Sequence, residues 1–312
     1  MIALPECNHE NFKKAGKHSN GAQRFKCKDC GKRFVEEQTK PFGNMRVDVD
    51  KAMLVINMLL EGTSIRACER LTNMNRDTID RLILEVGQRC QNFMDDHIVD
   101  VRCDDIQIDE IWSFVAMKAK KQDNPEAGDS WTYVAVDRET KLVACNYVGQ
   151  RNSTDTNRFL SKLRRSINVD QSFQVSTDGW GAYRYGVPFA LGSNVNFGML
   201  IKQYASQQET TRYSPASIIS AEKKAVFGSP DLNKVCTSHV ESLNQTIRMQ
   251  NRRFTRLTNA HSKSLKHHIA MQAIFFAHYN FCRKHTSLDK QTPAMAAGIV
   301  DKQLTLVELL GQ

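Results

Sequence analysis

Residues 106–118 read IQIDEIWSFVAMK. Apolar and polar positions alternate through Ile106, Ile108 and Ile111, so the stretch is expected to be a strand. Asp109 interrupts its apolar run. A carboxylate in an otherwise apolar strand is costly to bury unless it is paired or metal-bound. Downstream, residues 131–149 (WTYVAVDRETKLVACNYVG) predict a β-hairpin, with Asp137, Arg138, Glu139 and Thr140 as its turn. A helix is expected from Thr154 to Ile167, with Phe159, Leu160 and Leu163 on one side. Residues 173–186 (FQVSTDGWGAYRYG) then predict a short strand that ends on a second acid, Asp178. Strands and helices alternating in this way indicate an α/β domain.

Residues 187–235 show no clear period and are read as an insertion, with small strands of its own an option. A helix is expected from Ser238 through SHVESLNQTIRMQNRRF. At about 100° per residue, Val240, Leu243 and Ile247 form its apolar stripe, and Glu241, Asn244 and Arg248 share a neighbouring face. Residues 265–281 (LKHHIAMQAIFFAHYNF) are apolar nearly all round, which predicts a buried helix.

Three acids therefore stand in informative contexts: Asp109, Asp178 and Glu241. Magnesium takes oxygen ligands and keeps part of its water shell, so three carboxylates suffice for two ions that share one. Arg248 is placed either to touch a phosphate or as a solvated surface cation. Trp180 and Tyr183 are read either as core residues or as platforms for an unpaired base. His239, two residues before Glu241, points elsewhere on the helix. Asp137 reads as a hairpin-turn residue. Arg283 and His285 either hold DNA or cap the last helix.

Upstream, residues 49–90 carry a helical pattern. Met53, Ile56, Leu59 and Leu60 recur at helical spacing, Gly62 ends that helix, Ser64 caps the next, and a third starts near Asn75. Two short helices split by about three residues form a helix-turn-helix, with Asn75, Arg76 and Thr78 presented to a DNA groove. An ordinary helical bundle has the same pattern. At the N-terminus, Cys27-Lys-Asp-Cys30-Gly is the turn of a zinc knuckle. Cys7 and His9 are candidates for the second ligand pair, although spaced Cys-x-His, and His18 is a substitute for His9. A degenerate ribbon without its ion is the alternative.

The chain has 312 residues, 41% of them hydrophobic, with 43 Lys and Arg against 34 acids for a net charge of +9. That excess suits a polyanionic partner. Cations concentrate at 11–33, including Lys32 and Arg33, and at 248–268. No stretch has the apolar length of a membrane span or a signal peptide, so a cytoplasmic, nucleoid-associated protein is expected. Cys68, Cys90, Cys103, Cys145, Cys236 and Cys282 read as reduced buried residues rather than a disulfide framework.

Taken in order, RFKCKDCGKRF, the paired helices, IQIDEIW, WTYVAVDRETK, STDGWGAY, HVESLNQTIR and YNFCRKHTSLDKQTPAMAAG resemble the bacterial insertion-sequence transposases of the insertion-sequence-one type, nearly end to end. The resemblance implies an RNase H-like catalytic core whose DDE triad maps to Asp109, Asp178 and Glu241. It also implies two Mg²⁺ or Mn²⁺ ions, double-stranded DNA as partner and a homo-oligomer that pairs two element ends. The domain organisation so expected is a zinc-ribbon-like module at 1–40, a helix-turn-helix domain at 47–95, a catalytic domain at 103–290 containing the 187–235 insertion, and a C-terminal tail at 291–312. Other readings are a non-catalytic DNA-binding repressor or domesticated remnant, and a simple metal-dependent nuclease. A tyrosine recombinase is disfavoured, because such a site needs a Tyr nucleophile and no acidic metal cluster.

Overall fold

The protein is described from a computed structural model covering residues 7, 9, 11–17, 23–35, 42–43, 45–117, 126–204, 218–255 and 259–311. His18 lies outside the described residues.

An N-terminal ribbon of three antiparallel strands, β1 (Phe12–Lys17), β2 (Gln23–Cys27) and β3 (Arg33–Val35), is held by three aromatic rings. Phe12, Phe25 and Phe34 pack with centroids 5.4–5.8 Å apart. Gly31 takes φ +73° in the turn between β2 and β3, a conformation that suits glycine.

Helices α1 (Val49–Leu60), α2 (Ile65–Thr72) and α3 (Arg76–His97) follow. The punctuation agrees with their sequence. Gly62 has φ +76° just past α1, Ser64 accepts from Ala67 N at the start of α2, and Asn75 accepts from Asp77 N at the start of α3. Asn73 turns the chain between α2 and α3 in the left-handed region, at φ 52°. The 22 residues of α3 run far beyond that corner. Its later part packs along α7 (Leu265–Ala277), where Gly87 faces Ala270 so closely that a Cβ there would lie 2.5 Å from the alanine's.

The central sheet has six strands in the order β6-β5-β4-β7-β8-β9. β4 (Asp105–Val115), β5 (Gly128–Asp137) and β6 (Val143–Gly149) form an antiparallel meander. α4 (Ser153–Ser166) crosses to β7 (Phe173–Asp178), which lies parallel to β4, and α5 (Tyr183–Leu191) crosses to β8 (Val195–Tyr204), parallel to β7. β9 (Ile218–Phe227) closes the far edge antiparallel to β8. α6 (Ser238–Gln250) packs on β4 and β5, and α4 and α5 cover the opposite face. α7 is buried from Ala270 onward and passes into a π-helical turn at His278–Cys282.

Two expectations need correction. The segment 187–235, read as an insertion with small strands as an option, does carry two strands, but β8 and β9 belong to the central sheet and extend it. Pro188 lies inside α5 and masks a helix in sequence, and β9 is exposed at its described side chains except the half-buried Val226, so little of a buried face marks it. The segment expected as a C-terminal tail packs on the rest of the molecule over its described residues, 291–311. α8 (Pro293–Ala296) and α9 (Leu306–Leu310) bury Ala294, Leu306, Leu309 and Leu310, and α9 packs on α3. Most buried apolar residues from Phe42 to Leu310 form one cluster that includes those of α1–α3 and of the sheet. Among the described residues no helix is long and apolar enough to cross a membrane.

Candidate functional site

The register of β4 against β7 builds the acidic site. Ile108 lies opposite Thr177 in the parallel pair, so Asp109 and Asp178 follow side by side at the next position. Alternation along β4 then sends Gln107 and Asp109 toward α6 and Glu110 toward α4 and α5. Carboxylate oxygens of Asp109, Glu110 and Asp178 lie within 4.8 Å of one another. Glu110 is a member that the sequence reading missed.

Gln107, fully buried, fixes the helix above this site. Its Oε1 accepts from the backbone N–H of His239 at 2.8 Å and of Val240 at 3.3 Å, the first turn of α6, where Thr237 supplies no side-chain cap. Its Nε2 donates to Sγ of Cys236 at 3.1 Å, and that cysteine is half-buried rather than buried. Replacing Gln107 with Met leaves two helix N–H groups without acceptors. The expected loss is about 1–3 kcal/mol in urea unfolding; an unchanged midpoint would show that the cap contributes nothing.

So held, α6 brings Asn244 Nδ2 to 2.9 Å from Asp109 Oδ2. Glu241 is not among the clustered carboxylates. It accepts from Thr237 Oγ1 at 2.6 Å and forms an ion pair with Lys202 of β8. Its negative charge nevertheless reaches Asp109. Arg248 is half-buried two turns along the same helix. His239 faces Lys141, 3.4 Å away, rather than the acids.

On the other face, one arginine ties two acids. Arg151 places Nε 3.2 Å from Glu110 Oε2 and Nη2 3.0 Å from Asp178 Oδ2. Its guanidinium lies over the rings of Trp131 and Trp180, at 5.1 and 4.6 Å from their centroids. Trp180 also donates its backbone N–H to Asp178 Oδ1 at 2.9 Å. Tyr183 is fully buried and donates its hydroxyl to Glu110. Tyr183 is thus a core residue, and Trp180 flanks the arginine.

Burial, and then the charge of Asp178, push Asp109 up to about 6 and Glu110 up to about 8. Unfolded carboxyls titrate near ~4. Between those values the folded chain holds protons that the unfolded chain has released, so stability falls as pH rises. Without divalent ions the thermal midpoint should therefore drop between about pH 5 and pH 8. Mg²⁺ should raise the midpoint more at the upper pH, and Glu110→Gln should flatten the metal-free profile. A Mg²⁺ effect equal at both pH values would contradict this. Three oxygen donors gathered at mutual electrostatic expense fit a hard divalent cation.

In the ribbon, ligand atoms of Cys7, His9, Cys27 and Cys30 also lie within 4.8 Å of one another, so the irregular Cys-x-His pair does meet the knuckle. The backbone N–H of Cys30 heads the contacts that bring the Cys27 thiol down to about 7. Three thiolates with one imidazole fit a tetrahedral zinc ion. Lys32 and Arg33 lie exposed beside this cluster.

Asn75 caps α3, Arg76 is exposed beside Asp77, and Thr78 lines a cleft with Arg46 and Arg81. A second groove, of about 740 Å³, joins the start of α3 to the segment after α6 and carries Arg66, Arg76, Arg252, Arg253 and Lys263. Asp137 accepts from Thr140 N at 2.8 Å and Thr140 Oγ1 at 2.7 Å, as a hairpin-turn residue does. His285 caps the short 3-10 turn at Thr286–Leu288, and Arg283 donates to Gln250 Oε1 at 2.6 Å.

No protein family profile matches the chain, and no curated protein matches it. Among solved structures, a Mos1 transposase paired-end complex with the left transposon end is similar at 10% identity over 51% of this chain, with a TM-score of 0.21. The chain covers 60% of the length of that structure's chain.

Proposed function

We propose that this protein is a transposase of the bacterial insertion-sequence kind, built on an RNase H-like core, that binds the ends of a DNA element, cleaves them and joins them to target DNA. The observation that carries the reading is the placement of Asp109 and Asp178 on adjacent parallel strands, with Glu241 on the helix that Gln107 docks above them. In this reading Asp109, Asp178 and Glu241 hold two Mg²⁺ or Mn²⁺ ions. Bound there, the ions would stabilise the attacking and leaving oxygens of an in-line phosphoryl displacement.

The chain's own groups do the positioning. Asn244 orients Asp109, and Arg151 with the Trp180 N–H orients Asp178. Lys202 balances Glu241 with the positive charge that a cation would replace. Arg248, on the Glu241 face of α6, is the phosphate contact of this reading. Support for duplex binding comes from the groove that unites Arg76 with Arg252 and Lys263, which gathers cations from the helix-turn-helix and from the basic stretch at 248–268. Asn75 and Thr78 would read base edges, and Lys32 and Arg33 on a zinc-bound ribbon would add backbone contacts.

The test uses the full chain with Mg²⁺ or Mn²⁺, labelled DNA from the flanks of its own coding sequence, and a target plasmid. Joined products with the wild type and none with Asp109→Asn are expected. Cleavage without joining would indicate a nuclease. Binding without cleavage would indicate a repressor or a domesticated remnant.

A further inference from the structure

The side of α6 turned away from Asp109 borders a cavity of about 340 Å³, closed by the β5–β6 hairpin and by the loop after the π-helical turn. Lys141, Arg283, His239, His285, Ser242 and Thr246 supply its polar wall, over a floor that includes Leu243 and Tyr279. Among the described residues no carboxylate lines it. The two permanent cations are pinned by neutral acceptors. Lys141, in the left-handed region at φ 59°, donates to the carbonyl of Arg138, and Arg283 donates to Gln250 Oε1. The charges of the hairpin's own acids offset this positive charge only from outside the cavity wall. Asp137 is taken up by Thr140, and Glu139 is exposed outside the wall.

Positive charge is thus collected at some expense. Burial, followed by the charge of Lys141, holds His285 below the usual imidazole range. Lys141 is itself lowered, first by burial. Groups arranged in this way gain most from a bound anion, which reverses the repulsion and satisfies several donors at once. The donors come from three separate elements, the hairpin, α6 and the 283–287 loop, and so surround a ligand rather than forming one planar fork. A tetrahedral oxyanion, with acceptor oxygens on all sides, matches that arrangement better than a flat carboxylate.

We infer that this pocket is a phosphate-binding site, separate from the acidic centre and carried by Lys141, Arg283, His239 and His285. The inference does not depend on the transposase reading. The phosphate group belongs either to a nucleic-acid backbone or to free phosphate, and the same experiment separates the two.

The thermal midpoint of the full chain is followed in EDTA against inorganic phosphate, with chloride at matched ionic strength as reference. The wild type should show a saturable rise specific to phosphate. Ser242→Glu, at an exposed helical position on the rim, supplies an internal anion. It should raise the midpoint without phosphate and abolish the phosphate response. Lys141→Gln should weaken the apparent phosphate affinity tenfold or more, and this measurement decides the matter if the first variant folds poorly. Equal phosphate responses in the wild type and Lys141→Gln, or a wild-type response no larger than that to chloride, would overturn the assignment. Binding of a random-sequence duplex, also in EDTA, identifies the source. A salt slope lower by about 0.9 in Lys141→Gln marks a DNA backbone phosphate. An unchanged slope together with lost phosphate protection marks free phosphate as the ligand.

Discussion

Asp109→Asn should lower metal-dependent strand joining on the order of 10³-fold while leaving duplex binding in EDTA unchanged. The carboxylate is the shared point of the site: Asp178 lies beside it across the β4–β7 register, and the charge of Glu241 acts on it from α6. An amide keeps the shape and can still meet Asn244, but it cannot supply an anionic ligand to a divalent ion. The same change removes a charge that burial and Asp178 already disfavour. The variant should therefore be at least as stable as the wild type without metal, and it should lose most of the Mg²⁺-induced rise in thermal midpoint. Lost activity with lost stability would mean misfolding and would leave the reaction untested, so both quantities are measured on one sample. Full joining activity in the folded variant would remove Asp109 from the chemistry.

Cys27→Ser, or removal of zinc by a chelator, should unfold the ribbon and leave the central sheet intact. Three phenylalanines and three short strands bury too little apolar surface for so small a unit to fold unaided. Zinc contributes roughly 10–16 kcal/mol in peptides folded by a single structural ion. Elemental analysis should find one zinc per chain, lost in the variant. Hydrogen exchange should show β1–β3 becoming fully labile while β4, β5 and β7 stay protected. A ribbon that keeps its protection in excess chelator would show that the aromatic cluster alone suffices.

Much of this architecture was legible because period and position agree. β4, the hairpin, β7 and α6 each carry an apolar pattern, and their acids stand where the pattern breaks. Glu110 was hidden because it adjoins Asp109 in sequence yet serves the opposite face, and alternation alone does not say that an acid on that face finds Tyr183 and Arg151. Arg151 had no motif. Its role comes from Trp131 on β5 and Trp180 after β7, two rings that only the fold brings beneath one guanidinium. Cys7 and His9 lacked the spacing of a knuckle, because a ligand pair need not be regular when the chain leading to β1 delivers it. The 187–235 segment was misread for the opposite reason. An edge strand whose described side chains are exposed but for half-buried Val226, and a helix that tolerates Pro188, both lack the periodic signal by which elements are recognised.

Helix α3 is both a corner and a strut. Asn75 starts it beside the basic groove, and its far half is locked to α7 through Gly87 and to α9 at the C-terminus. At 1.5 Å per residue its 22 residues span ~33 Å without a hinge. A duplex gripped at the tip of α3 would lie at a set distance from the carboxylates, with no tether to take up slack. In the proposed function the protein would then behave as a ruler, with the offset between a gripped sequence and a broken bond set by a length built into the core.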